Sequence, residues 1–179
     1  MNSGFTDARQ WLARWCHDSA MPISISASVR APENKVNLPA EVLADLSHPA
    51  HRRSELAAAS EAVRSLSVPV SATLAEFYAR YEGPFHSRAT GIMLLDIISG
   101  NPSVRSHTLA CRAMYGFGLN HIVLTDLLAN SVLVLESNTD RIFDVDFEGG
   151  DRMFLQGLLP SSWPSFEAFL YEYFGPAPP

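Results

Sequence analysis

Two stretches of the chain repeat apolar residues at helical spacing. In the first, Leu74, Phe77, Tyr78 and Tyr81 fall at i, i+3, i+4 and i+7 behind Ser71, and Gly83-Pro84 is placed to supply a left-handed C-cap and a stop. In the second, Phe166, Phe169, Leu170, Tyr173 and Phe174 follow Trp163-Pro164 and run into Gly175-Pro176. Between them the spacing shortens to that of strands. Gly91–Ile97 (GIMLLDI) reads as a strand closed by Ser99-Gly100-Asn101-Pro102, and His121–Thr125 reads as another. Val132–Glu136 has no polar alternation, which predicts a central strand covered on both faces. Ser137–Asp140 makes a four-residue hairpin connection to Arg141–Phe147. There Phe143, Val145 and Phe147 point one way, and Asp144 and Asp146 the other. Val104–Tyr115 is ambiguous in pattern and is assigned to helix.

The first third is less regular. Thr6 is placed to cap a helix carrying Ala8, Trp11, Leu12, Trp15 and Cys16. Met21–Arg30 reads as irregular chain or a short edge strand, and Ala31–Leu38 as a loop. Helices follow at about Pro39–Leu46 and Ser54–Leu66, separated by His48-Pro49. Helices first, a mostly antiparallel sheet next and a closing helix packed on that sheet make an α+β fold, not a parallel βαβ array. Residues 1–65 are expected to form a helical extension packed on the same domain, 66–175 the α+β core, and 176–179 a tail.

Composition narrows the function classes. A chain of 179 residues is the size of one domain, and at that size roughly 70% of the unfolded surface can be buried without disulfides or metals. Cys16 and Cys111 are too few and too isolated for a disulfide framework or a zinc site, so they read as free thiols of a reducing compartment. The N-terminus has no basic segment leading into an apolar one, and no apolar run approaches bilayer length. The expected location is therefore the cytoplasm. A net charge of −6, with Lys35 the only lysine, argues against non-specific nucleic-acid binding and leaves a basic protein as a fitting partner.

The signatures of chemistry are missing. The chain has no GxSxG elbow, P-loop, HExxH or CxxC, and Gly116-Phe117-Gly118 is a bare GxG that reads as a turn. His48 and His51 flank Pro49 in a loop with no carboxylate cluster beside them, so no metal site is expected there. His107 and Cys111 would share a helix face, as a nucleophile–base pair or, more commonly, as packing residues. Asp144-x-Asp146-x-Glu148-Gly149 imitates the start of a calcium loop but meets Leu155 where the bidentate glutamate belongs. No enzyme, cofactor or metal is assigned. What remains is an acidic stripe of Asp140, Asp144, Asp146, Glu148 and Asp151, suited to a basic partner surface or to keeping a sheet edge from aggregating.

Three blocks in order resemble the SUKH superfamily, named in part for yeast cell-wall-synthesis regulators of the Smi and Knr type. They are Leu66–Val70 leading into LAEFYARYEGP, then HIVLTDLLANSVLVLESNTDRIFDVDFEGGD, then WPSFEAFLYEYFG. Glu82-Gly83 stands where that family has an Asn-Gly corner, and the first 65 residues have no counterpart. The resemblance implies a SUKH-like α+β core and a non-enzymatic binding role. Bacterial members are mostly immunity proteins that neutralise a cognate toxin, often a nuclease or a nucleic-acid deaminase. Fungal relatives are regulatory scaffolds. The family has no fixed catalytic residues to carry over, so the acidic stripe is the candidate recognition surface, and Trp163 and Gly83 read as packing and capping residues.

Overall fold

Ser103 decides the ambiguous middle segment. Its hydroxyl accepts from the Ser106 amide at 3.2 Å while the Ser106 hydroxyl accepts from the Ser103 amide at 2.9 Å, a reciprocal cap that starts a helix at Val104. Gly116, at φ 73°, closes it in the left-handed region that favours glycine. The computed structural model describes residues 56–87, 91–98, 100–127 and 130–174. The expectations for the helix begun by Thr6, for Met21–Leu46, for His48 and His51, and for the tail lie outside the described residues.

In chain order the described elements are α1 (Leu56–Ser65), α2 (Ala72–Arg80), β1 (Phe85–His86), β2 (Met93–Leu94), α3 (Val104–Tyr115), β3 (His121–Val123), β4 (Ser131–Glu136), β5 (Arg141–Asp146), α4 (Gly150–Leu155) and α5 (Phe166–Phe174). The fold is α+β, and every described strand pairing is antiparallel. The sheet order β3-β4-β5 makes β4 the central strand. The β1–β2 hairpin joins β3 through a bridge between Leu94 and Thr125 and through the Leu95 amide, which donates to the Leu124 carbonyl at 2.9 Å.

The apolar run of β4 follows from burial on both faces. Leu133 and Leu135 face a core built with Leu74, Phe77 and Tyr78 of α2 and Phe166 and Phe169 of α5. Val132 and Val134 face a second core with Cys111 of α3, Phe117, Val145 and Phe154 of α4. On β5, Phe143 and Val145 join that second core while Asp144 and Asp146 are exposed, as the alternation predicts.

Two expectations need correction. Gly83 is not a left-handed C-cap: α2 ends at Arg80, and Tyr81 turns the chain out in extended conformation. Position 83 is instead crowded by close approach. A Cβ there would stand 3.0 Å from the Phe85 ring and 3.3 Å from the Asp96 amide. The strand expected over Gly91–Ile97 is only Met93–Leu94, because Asp96 bends the chain instead of extending it. Its buried carboxylate accepts from the Gly83 amide and from the Ile98 amide, both at 2.8 Å.

The closing helix is tied to the β1–β2 hairpin at Tyr173, whose carbonyl accepts from the Ser87 hydroxyl at 2.6 Å and whose own hydroxyl makes three contacts. Tyr173 donates toward the Phe85 and Ile92 carbonyls, at 2.7 and 2.8 Å, and accepts from the Leu94 amide at 2.9 Å. Burial, only partly offset by the hydrogen bonds from Leu94 and Ser87, pushes this phenol's pKa far up, so it stays protonated. Tyr173→Phe keeps the ring but leaves a buried N–H without its acceptor. It is expected to cost about 2 kcal/mol in urea unfolding, and a loss under about 0.5 kcal/mol would contradict this role.

Candidate functional site

The acidic stripe expected from the sequence lies along β5 and α4 and in the hairpin turn before β5. Of the five acids in the stripe, two are occupied within the fold. Asp140 sits in the left-handed region at φ 61°, and its Oδ2 accepts from the Phe166 amide at 3.1 Å, which caps α5 across the hairpin. The Oδ1 of Asp146 accepts from the Glu148 amide at 2.9 Å and from the Gly150 amide at 3.2 Å, which turns the chain from β5 into α4. A Cβ at Gly150 would run into the Asp146 carboxylate and displace it from this corner.

The other three acids are free to act outward. Asp144 and Glu148 are exposed and Asp151 is half-buried, and no described residue makes a hydrogen bond or ion pair with their carboxylates. Asp144 and Asp146 share one face of β5 by the two-residue repeat, while Asp140 lies at the far end of the strand in the hairpin turn. Within the stripe, Asp140 and Asp146 therefore hold local structure, and Asp144, Glu148 and Asp151 are the acids without such a contact.

The outer edge of β5 is blunted. The Ile142 amide donates to the Trp163 carbonyl at 3.0 Å, and the Ser162 amide donates to the Ile142 carbonyl at 2.8 Å. The Asp144 amide donates to the Ser162 hydroxyl at 3.2 Å. A connecting segment thus covers the Ile142 backbone groups and the Asp144 amide, which another chain would otherwise use to extend the sheet there.

Beside the free acids lies an apolar element that the sequence pattern does not reveal. In α4, Phe154 turns inward onto Phe143 and Phe117, with ring centroids 5.0 and 5.6 Å away. Its neighbours Met153 and Leu155 are each 44% exposed, and Leu158 is 65% exposed. The Leu158 amide donates to the Met153 carbonyl at 2.8 Å, which brings the two ends of this apolar turn together. A six-residue helix is too short to show periodicity. Asp146 ahead of Gly149-Gly150 was the available capping signal.

The remaining candidate chemistry resolves differently. Cys111 is buried in the second core, and burial pushes its thiol up to about 11, so it is protonated and inert at neutral pH. His107 faces Asp126 instead, with Nε2 3.9 Å from Oδ1. No group of three or more His, Cys, Asp or Glu side chains among the described residues is placed to hold a metal ion. None of the described helices is long and apolar enough to cross a membrane. No protein-family model matches the chain, and no curated protein matches its sequence.

Proposed function

We propose that this chain is a protein-binding module of the SUKH type, acting in the cytoplasm as an immunity protein that occupies a cognate toxin and blocks it without chemistry. The observation that carries the reading is the β5–α4 edge. Exposed Met153 and Leu155 lie within a few residues of the free acids Glu148 and Asp151, and the Leu158 backbone bonds back to Met153. Residues 140–158 hold five acids against two arginines. An apolar centre with a predominantly acidic rim is the make-up of a surface that buries its middle and uses its rim to select and steer a basic partner. The ordered resemblance of three sequence blocks to a family of immunity proteins supports the same role.

The test is a tagged pull-down from the native host's lysate, run with the wild type and with D144N/E148Q/D151N. That variant spares the two acids that hold the framework. The expected result is one basic protein with a nuclease- or deaminase-like domain, retained by the wild type and lost by the variant. Recovery of endogenous structural or regulatory proteins alone, equally on both baits, would replace immunity with a scaffold role.

A further inference from the structure

His121 occupies a position that the proposed binding role does not use. It opens β3, next to the turn that ends α3, and its Nδ1 lies 2.9 Å from the Gly118 amide. A backbone amide can only donate, so Nδ1 must be the acceptor and the ring must be neutral. The imidazole packs on Phe154 of α4 at 4.5 Å between ring centres and on Phe117 at 5.8 Å, edge to face. A Cβ at Gly118 would stand 2.7 Å from Asn120 Oδ1, so the Asn120 side chain would have to move to admit one.

The same corner holds a cation. Arg112 of α3 donates to the Leu66 carbonyl at 3.1 Å and the His121 carbonyl at 3.2 Å, and also to the Leu119 carbonyl. One guanidinium thus gathers the end of α1, the 116–120 turn and the start of β3. The charged groups acting on the ring are Glu136, its register partner on β4, and this arginine. Burial is the largest influence on the imidazole and disfavours its charged form. Glu136 favours that form, Arg112 opposes it, and the balance lowers the ring's pKa. α4 and the turn present Phe154, Phe117 and Asn120, none of which titrates.

We propose that His121 is an acid-sensitive latch, whose protonation frees the 116–120 turn and loosens α4 from the sheet. Protonating Nδ1 turns the acceptor of the Gly118 amide into a second donor facing it. It also places a cation beside Arg112 in a half-buried position, where loss of water disfavours charge. The folded state therefore prefers the neutral ring, while the unfolded chain protonates near the ordinary imidazole pKa of about 6.5. The latch is fully closed above that value, and its contribution is lost progressively as pH falls below it. Because α4 carries Asp151 and follows Glu148, opening would also disturb the proposed interface. That consequence rests on the binding role, whereas the latch does not.

The test needs no partner. NMR on the full chain follows the His121 ring and the protection of the Gly118 amide from pH 8 to pH 5. Protonation of His121 below the ordinary imidazole range should be accompanied by about a tenfold fall in Gly118 protection per unit of depression in the pKa. In H121N the side-chain carbonyl can accept from Gly118 without titrating, so protection should stay flat with pH, while the control H107Q should behave as wild type. E136Q removes the anion that favours the charged ring and should move the His121 midpoint lower, which keeps the test intact if H121N does not fold. Constant Gly118 protection while His121 takes up its proton would overturn the latch, and so would a midpoint in E136Q that is unmoved or higher.

Discussion

Asp96→Ala is expected to destabilise the folded chain by about 3 kcal/mol or more in urea unfolding, with the denaturant slope unchanged. The carboxylate is 1% exposed, and its two oxygens separately accept the Gly83 and Ile98 amides. Removing it leaves both buried donors unsatisfied and opens a void at the corner where the chain leaves β2 for α3. The backbone carbonyl of the same residue accepts from the Val104 amide at 2.8 Å, so the start of α3 shares the disturbance. Asp96→Asn retains one acceptor oxygen but turns an amide group toward the other donor, and should fall between wild type and Ala. Equal stability of the Asn and Ala variants would show that the hydrogen bonds do not set the cost, and a loss below about 1 kcal/mol for Ala would contradict the role altogether.

Phe77→Ala is expected to cost about 4 kcal/mol by the same measurement. Phe77 is fully buried and is the hub of the aromatic core. Its ring stands 5.2 Å from Tyr78, 5.0 Å from Phe85 and 5.7 Å from Phe166, linking α2, β1 and α5. Truncation removes the transfer free energy of the ring and leaves a cavity that three separate elements would have to move to fill. Phe77→Leu, which restores much of the volume, should recover more than half of the loss. An alanine variant within about 1 kcal/mol of wild type would mean that the site collapses freely and that this core is not the joint between the elements.

Where the chain repeats a period for two turns or more, the elements were legible before any coordinates. α2 and α5 bury the residues that their spacing assigns except Tyr81 and Phe174, which are partly buried, and the uninterrupted run of β4 marks a strand covered on both faces. α3 was assigned correctly despite a weak apolar stripe. Its ends are fixed by the Ser103–Ser106 box and Gly116, local chemistry that spacing does not register. α4 went unread because only Phe154 of its six residues points fully inward and the Gly149-Gly150 pair imitates a turn. At Gly83 a glycine after a helix suggests a left-handed cap, whereas here the Phe85 ring and the Asp96 amide crowd the position.

The candidate site was legible in part, for a related reason. Alternation on β5 correctly put Asp144 and Asp146 in solvent, but it cannot distinguish an acid that caps a neighbouring element from one that faces outward. Asp140 serves Phe166, 26 residues away in the chain, and only the fold brings them together. The same holds for His121, whose neighbours on α3, β4 and α4 are assembled by tertiary packing alone.

The most direct test of the central claim is the association rate of the captured partner with the wild type and with D144N/E148Q/D151N, measured at low and at moderate salt. Steering by the free acids predicts that wild-type association slows as salt rises, and that the variant is slower by about tenfold at low salt, with a much weaker salt dependence. Dissociation rates should differ far less, because rim charges guide encounter more than they hold the complex. Equal association rates for the two proteins at both salt levels would contradict binding through the β5–α4 edge.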